Sequence, residues 1–136
     1  MPVYVITGAN RGLGLEFVRQ LSADSSNTIL AATRSLSRDL SALESLKSNA
    51  ATLHILECET GSQDSITAFG KQVSSTLGGA DKKIDFLLNN AGINHNSKQT
   101  SLTMTIDSLL SILTSMLWAW QQQCNCLKGI CSTEAW

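Results

Sequence analysis

Charge of either sign is not in excess in this chain. Ten Lys and Arg stand against eleven Asp and Glu, a formal net charge of -1, so the electrostatic footprint of a nucleic-acid or membrane-surface partner is missing. Long apolar runs are missing too. The run that opens the chain, Val3 to Ile6, has no basic residues before it and stops at Thr7-Gly8, well short of a secretory leader or a membrane span, and a cytoplasmic protein is the expectation. Of the four cysteines, at 58, 124, 126 and 131, three crowd one end and none forms a Cys-x-x-Cys pair, which excludes a disulfide framework spread along the chain and favours free thiols. Histidine is scarce, and neither His54 nor His95 neighbours the Cys124-x-Cys126-x-x-x-x-Cys131 cluster, so no metal site is expected. There is one tyrosine, Tyr4, and no Tyr-x-x-x-Lys anywhere.

What remains is an ordinary globular composition, 43% hydrophobic and 15% charged over 136 residues, enough for one domain and too short for two. Apolar runs of strand length alternate with stretches of helical period, the pattern of repeated βα units on a parallel sheet, and the fold class is α/β. Val3 to Thr7 is β-branched and nearly all apolar, as a strand buried on both faces should be. Gly14, Phe17, Val18 and Leu21 then recur at helical spacing before a second strand at Thr28 to Thr33. Leu36, Leu40, Leu43 and Leu46 mark another helix, with Ser41 to Glu44 in capping-box spacing, and Thr52 to Leu56 a third strand. Ile66, Phe69, Val73 and Leu77 carry a third helix ending near Gly78-Gly79, followed by a fourth strand over Ile84 to Asn89. A last helix runs behind Thr103 and Thr105 from Ile106 to Trp120. From 121 to 136 the periodicity dissolves, which divides the chain into a partial Rossmann domain, 1–120, and an irregular tail.

The turn Thr7-Gly8-Ala9-Asn10-Arg11-Gly12-Leu13-Gly14 lies directly after the first strand and at the entrance to a helix. A diphosphate needs backbone N–H groups aimed at it and the positive end of a helix dipole close by, with no side chains in the approach. Gly8 permits the tight turn, Gly12 the close approach of the pyrophosphate near the Leu13 amide, and Gly14 the packing of helix on strand. The spacing Gly-x-x-x-Gly-x-Gly differs from the generic Gly-x-Gly-x-x-Gly fingerprint. A second short motif, Asn89-Asn90-Ala91-Gly92, follows the fourth strand.

Together the two motifs resemble those of the short-chain dehydrogenase/reductase family, on its carbonyl-reductase side, over residues 1 to about 119. The resemblance implies a Rossmann-type nucleotide-binding fold with Gly8, Asn10, Arg11, Gly12 and Leu13 at the diphosphate. It places Glu59 and Thr60 at the adenine, where the family usually has an Asp, and Asn90, Ala91 and Gly92 at the ribose near the nicotinamide. In such a unit the end of the second strand lies beside the adenosine ribose, and a carboxylate there favours NAD. Thr33-Arg34 stand there instead. With Arg11 in the turn, Arg34 should attract a 2'-phosphate, so NADP(H) is expected over NAD(H).

The family's chemistry is hydride transfer between nicotinamide and a carbonyl or alcohol, with a Tyr made acidic by a Lys four residues on and a Ser orienting the substrate. Without Tyr-x-x-x-Lys, no catalytic residue is assigned, and Tyr4, inside the first strand, is expected to pack in the sheet. Where the family has a catalytic Asn in the helix after Asn-Asn-Ala-Gly, alignment puts Ser115, and Trp118 stands where a small glycine is usual. The loss of resemblance from about Ser115 onward looks like truncation or mis-splicing, with an unpaired sheet edge and a partly uncovered helix face as expected consequences. The alternative is a non-catalytic interaction or regulatory fragment that pairs with a full-length relative through the helix at Ile106 to Trp120, or with itself.

Overall fold

A computed structural model describes residues 1–49, 51–78, 83–92, 105–128 and 130. Four parallel strands, β1 (Val3–Thr7), β2 (Thr28–Thr33), β3 (Thr52–Glu57) and β4 (Phe86–Leu88), lie in the order β3-β2-β1-β4. The helices between and after them are α1 (Gly12–Leu21), α2 (Ser41–Ser45), α3 (Gln63–Leu77) and α4 (Ile106–Leu127), with a short 3₁₀ turn at Leu46–Ser48 extending α2. This is the Rossmann-type α/β arrangement. β1 is central, aligned Val3 to Thr28 on one side and Tyr4 to Phe86 on the other. Among the described residues no helix is long and apolar enough to cross a membrane.

Alternate side chains of each strand feed two cores, because successive residues point to opposite faces of a sheet. Val3, Val5, Leu30 and Ala32 pack on one face with Ile66, Phe69 and Val73 of α3 and Leu127 of α4. Ile6, Ile29 and Ala31 pack on the other with Val18 of α1 and Leu43 of α2. Burial on both faces is why β1 and β2 read as continuous apolar runs. α3 begins at Ser62, whose hydroxyl accepts from the Ser65 amide at 3.3 Å, and ends at Gly78, whose φ of 80° is left-handed and suits glycine. Tyr4 is packed in the sheet, its ring stacked on Phe86 with centroids 4.9 Å apart.

Three local expectations need correction. The Ser41–Glu44 capping box does not form: the N-cap of α2 is Leu40, Ser41 is already helical, and its amide is bonded by Asp39 Oδ1 at 3.0 Å instead. β4 is shorter than Ile84 to Asn89, running only from Phe86 to Leu88, and before it the Ile84 amide donates to the Ile130 carbonyl at 2.8 Å. The irregular stretch expected from residue 121 is helical to Leu127, and Leu127 is fully buried in the core under β1 and α3. Close approach makes this join possible. A Cβ on Gly70 of α3 would collide with Cys126 Sγ, and that thiol donates to the Ile66 carbonyl at 3.2 Å. Residues 131–136, Cys131 of the cysteine cluster among them, lie outside the described residues, as do His95 and Thr103.

Candidate functional site

The turn between β1 and α1 is closed by the segment after β4. The Thr7 hydroxyl, buried at the end of β1, receives the amides of Asn90 and Ala91 at 3.1 and 3.0 Å. The Asn90 side-chain nitrogen donates to the carbonyls of Thr7 and Gly8, at 3.1 and 3.3 Å. The two motifs thus form one bonded unit, with Asn90 holding the glycine turn in place. Gly8 and Gly12 have φ of 66° and 56°, a left-handed backbone that side chains resist. Gly14 has no room for a Cβ, which would strike the Gly8 carbonyl and the Asn90 amide nitrogen. At Gly12 the space where a Cβ would stand is open, so ligand atoms can come close to the backbone there.

α1 starts without a side-chain cap. Its N-cap, Arg11, is extended, with no cap hydrogen bond, and its first turn carries no acidic residue; α3 and α4, by contrast, are capped by Ser62 and Thr105. The opening amides of α1 therefore stay available to an outside acceptor, at the positive end of the helix dipole.

In front of this helix end lies a cavity of about 300 Å³, lined by Gly8, Asn10, Arg11, Gly12, Arg34, Thr60, Asn90, Ala91 and Gly92 from the expected set. Two expected residues stand apart. Leu13 is 72% exposed and does not line the cavity, so that only its amide can serve a ligand at the helix end. Glu59 does not line it either, and pairs with Arg34, Oε1 to Nε at 3.4 Å, both side chains about half exposed. A carboxylate placed against Arg34 reduces the pull of that arginine on a phosphate, though an exposed pair of this kind contributes only about 0–1 kcal/mol.

Sequence reasoning missed two lining residues, Arg38 and Cys58. Arg38 brings a third guanidinium; its signal was a second arginine four residues after Arg34 in the same loop. Cys58 follows β3 directly and is buried, and burial, with Cys126 adding to it, pushes its thiol up to about 12. It is a neutral, apolar wall at neutral pH.

On α4, the Ser115 hydroxyl donates to the Ile112 carbonyl of its own helix at 2.8 Å, and Trp118 is 41% exposed rather than wedged against a neighbouring helix. The small buried position is Ala119.

A profile of the family described as short chain dehydrogenase matches residues 2–130. The chain is 36% identical over 91 residues to the short chain dehydrogenase virK of Hypocrea virens, covering 67% of this chain and 32% of that protein. It is 37% identical over 93 residues to the (+)-neomenthol dehydrogenase of Arabidopsis thaliana, covering 65% and 30% respectively. Among solved structures, the NADPH-bound carbonyl reductase from chicken fatty liver superposes with a TM-score of 0.77 at 28% identity, covering 96% of this chain and 52% of that one. The chain spans about a third of the length of these curated relatives and about half of that solved structure.

Proposed function

Because the chain belongs to the short-chain dehydrogenase family, we propose that the cavity before α1 holds a nicotinamide dinucleotide, NADP(H) in preference to NAD(H). The uncapped start of α1 behind an open glycine turn is the observation that carries this reading. In it, the diphosphate lies on the amides from Gly12 onward, with Gly8 and Asn10 shaping the turn and Arg11 adding charge. Arg34 and Arg38 meet the 2'-phosphate, Thr60 and the Cys58 wall border the adenine, and Asn90 to Gly92 border the nicotinamide ribose. Glu59, expected at the adenine, also pairs with Arg34. When bound, the dinucleotide supplies a hydride donor or acceptor for a carbonyl or alcohol.

No Tyr-x-x-x-Lys occurs in these 136 residues, and the Ser115 hydroxyl is engaged within its helix. By itself, then, the chain binds the dinucleotide without turning it over. Titration of NADPH and NADH, followed by the nicotinamide fluorescence, tests this: saturable binding with NADPH the tighter is expected. No binding at millimolar cofactor overturns it.

The face of α4 supports a second reading, pairing with a full-length relative. Leu110 and Leu117 are 55% and 64% exposed on a helix otherwise joined to α3. Co-purification of the chain with such a relative, lost when these leucines become lysines, is its test.

A further inference from the structure

A second cavity, of about 240 Å³, opens between the end of β4 and α4, where Asn89 and Ala91 face Met116, Ala119, Trp120 and Gln123. Gln123 is only 2% exposed, and its side-chain oxygen has no hydrogen-bond partner among the described residues. Buried acceptors are almost always matched with a donor, so an unmatched one at a cavity wall marks a place where a donor from outside would be held. The described residues that line the cavity include no ionisable side chain. An ion entering there would lose its hydration without gaining a counter-charge, and a neutral occupant is required. The Trp120 indole and the Met116 thioether both make good contacts with an aromatic ring. At about 240 Å³ the space falls below the roughly 300–1,000 Å³ of sites for larger ligands, which limits the occupant to about one ring.

We propose that this cavity binds a small neutral aromatic molecule carrying one hydroxyl, a phenol-type compound, whose O–H donates to Gln123 Oε1. Ala91 also lines the cavity before α1, so the occupant sits beside the dinucleotide site. The inference stands on the geometry of α4 and β4 and does not depend on dinucleotide binding.

Phenol, anisole and toluene serve as probes of the isotope-labelled full chain by NMR, with the Gln123 side-chain amide and the Met116 methyl as reporters. Phenol should shift both reporters, whereas anisole and toluene, which have no O–H, should shift only the methyl. In Gln123→Leu the ratio of phenol to toluene affinity should fall by about tenfold, the effect of one hydrogen bond lost from a buried site, while NADPH affinity stays as in the wild type. Equal shifts of the Gln123 amide by phenol and anisole, or an unchanged affinity ratio in Gln123→Leu, mean that solvent serves the oxygen and overturn the proposal. So does the absence of any shift at saturating phenol. If Gln123→Leu fails to fold, the phenol and anisole comparison on the wild type decides alone. Failure of NADPH to bind overturns the dinucleotide reading and leaves this one standing.

Discussion

Arg34 lines the cavity, and Glu59, which stands outside it, pulls on the same guanidinium. Glu59 holds the guanidinium at 3.4 Å, and in the proposed reading a 2'-phosphate competes with it. Glu59→Gln removes the competitor without changing size, so NADPH affinity should rise by about twofold to fivefold, as for loss of an exposed ion pair, with NADH unaffected. Arg34→Ala should do the reverse and weaken NADPH by about tenfold, the loss of one charge-assisted contact. Parallel fluorescence titrations read both, and equal changes for the two cofactors would show that this corner does not meet the 2'-phosphate. Cys58 gives a pH prediction. Its thiol lies at about 12 in the folded chain against an ordinary 9.0, so the unfolded chain loses its proton first as pH rises. The stability tied to keeping Cys58 neutral is full below pH 9 and declines from there toward 12. Thiol titration at pH 8 should therefore find Cys58 slow to react in the native chain and fast in denaturant.

At the scale of elements, the informative helix is α4. Its apolar residues at three-four spacing, Leu109, Leu110, Leu113, Met116 and Leu117, are exposed, whereas the buried face near its end is Ala119, Gln123, Cys124 and Leu127. Three of those four are polar or small, so periodicity marks the wrong stripe and fades at Trp120 although the helix continues. Leu127→Ala should lower stability by about 2–5 kcal/mol, as for a leucine removed from a packed core; a truly irregular tail would tolerate the change. Denaturant unfolding checks it. β1, β2 and α3 were legible because their signals are local: β-branched runs buried on both faces, and a left-handed glycine closing α3. The glycine turn and Asn89–Gly92 were legible as motifs, yet not the bonds from Asn90 to Thr7 and Gly8, which cross more than eighty positions in sequence. The Ser41 capping box failed for a local reason, since Asp39, two residues earlier, takes the Ser41 amide. Gly14→Ala tests the joint between motifs. Its methyl would meet the Gly8 carbonyl and the Asn90 amide, and overpacking of this kind costs about 1–3 kcal/mol, with NADPH binding weakened in step.

For the whole molecule the question is what the described surface leaves uncovered. β4 pairs only with β1 among the described residues, Phe86 at its start is 50% exposed, and α4 shows solvent a row of leucines, methionine and tryptophans between 40% and 64% exposed. Patches of this continuity are unusual on monomers, and an open strand edge beside them offers unpaired N–H and C=O groups. Charge does little to oppose association, since the formal net charge is -1 and like-charge repulsion between copies is weak. The chain should therefore self-associate as its concentration rises, read as a growing weight-average mass by light scattering on a sizing column. Leu110→Lys with Leu117→Lys places two cations on the exposed face without touching the buried one, and should shift the population toward monomer. The cavity before α1 lies at the other end of β4 from Phe86, and neither changed residue lines it. NADPH affinity should therefore stay the same while the mass falls. A wild-type chain that remains monodisperse and monomeric at every concentration, with a cooperative melt, would mean that the apolar face of α4 is covered from within the chain.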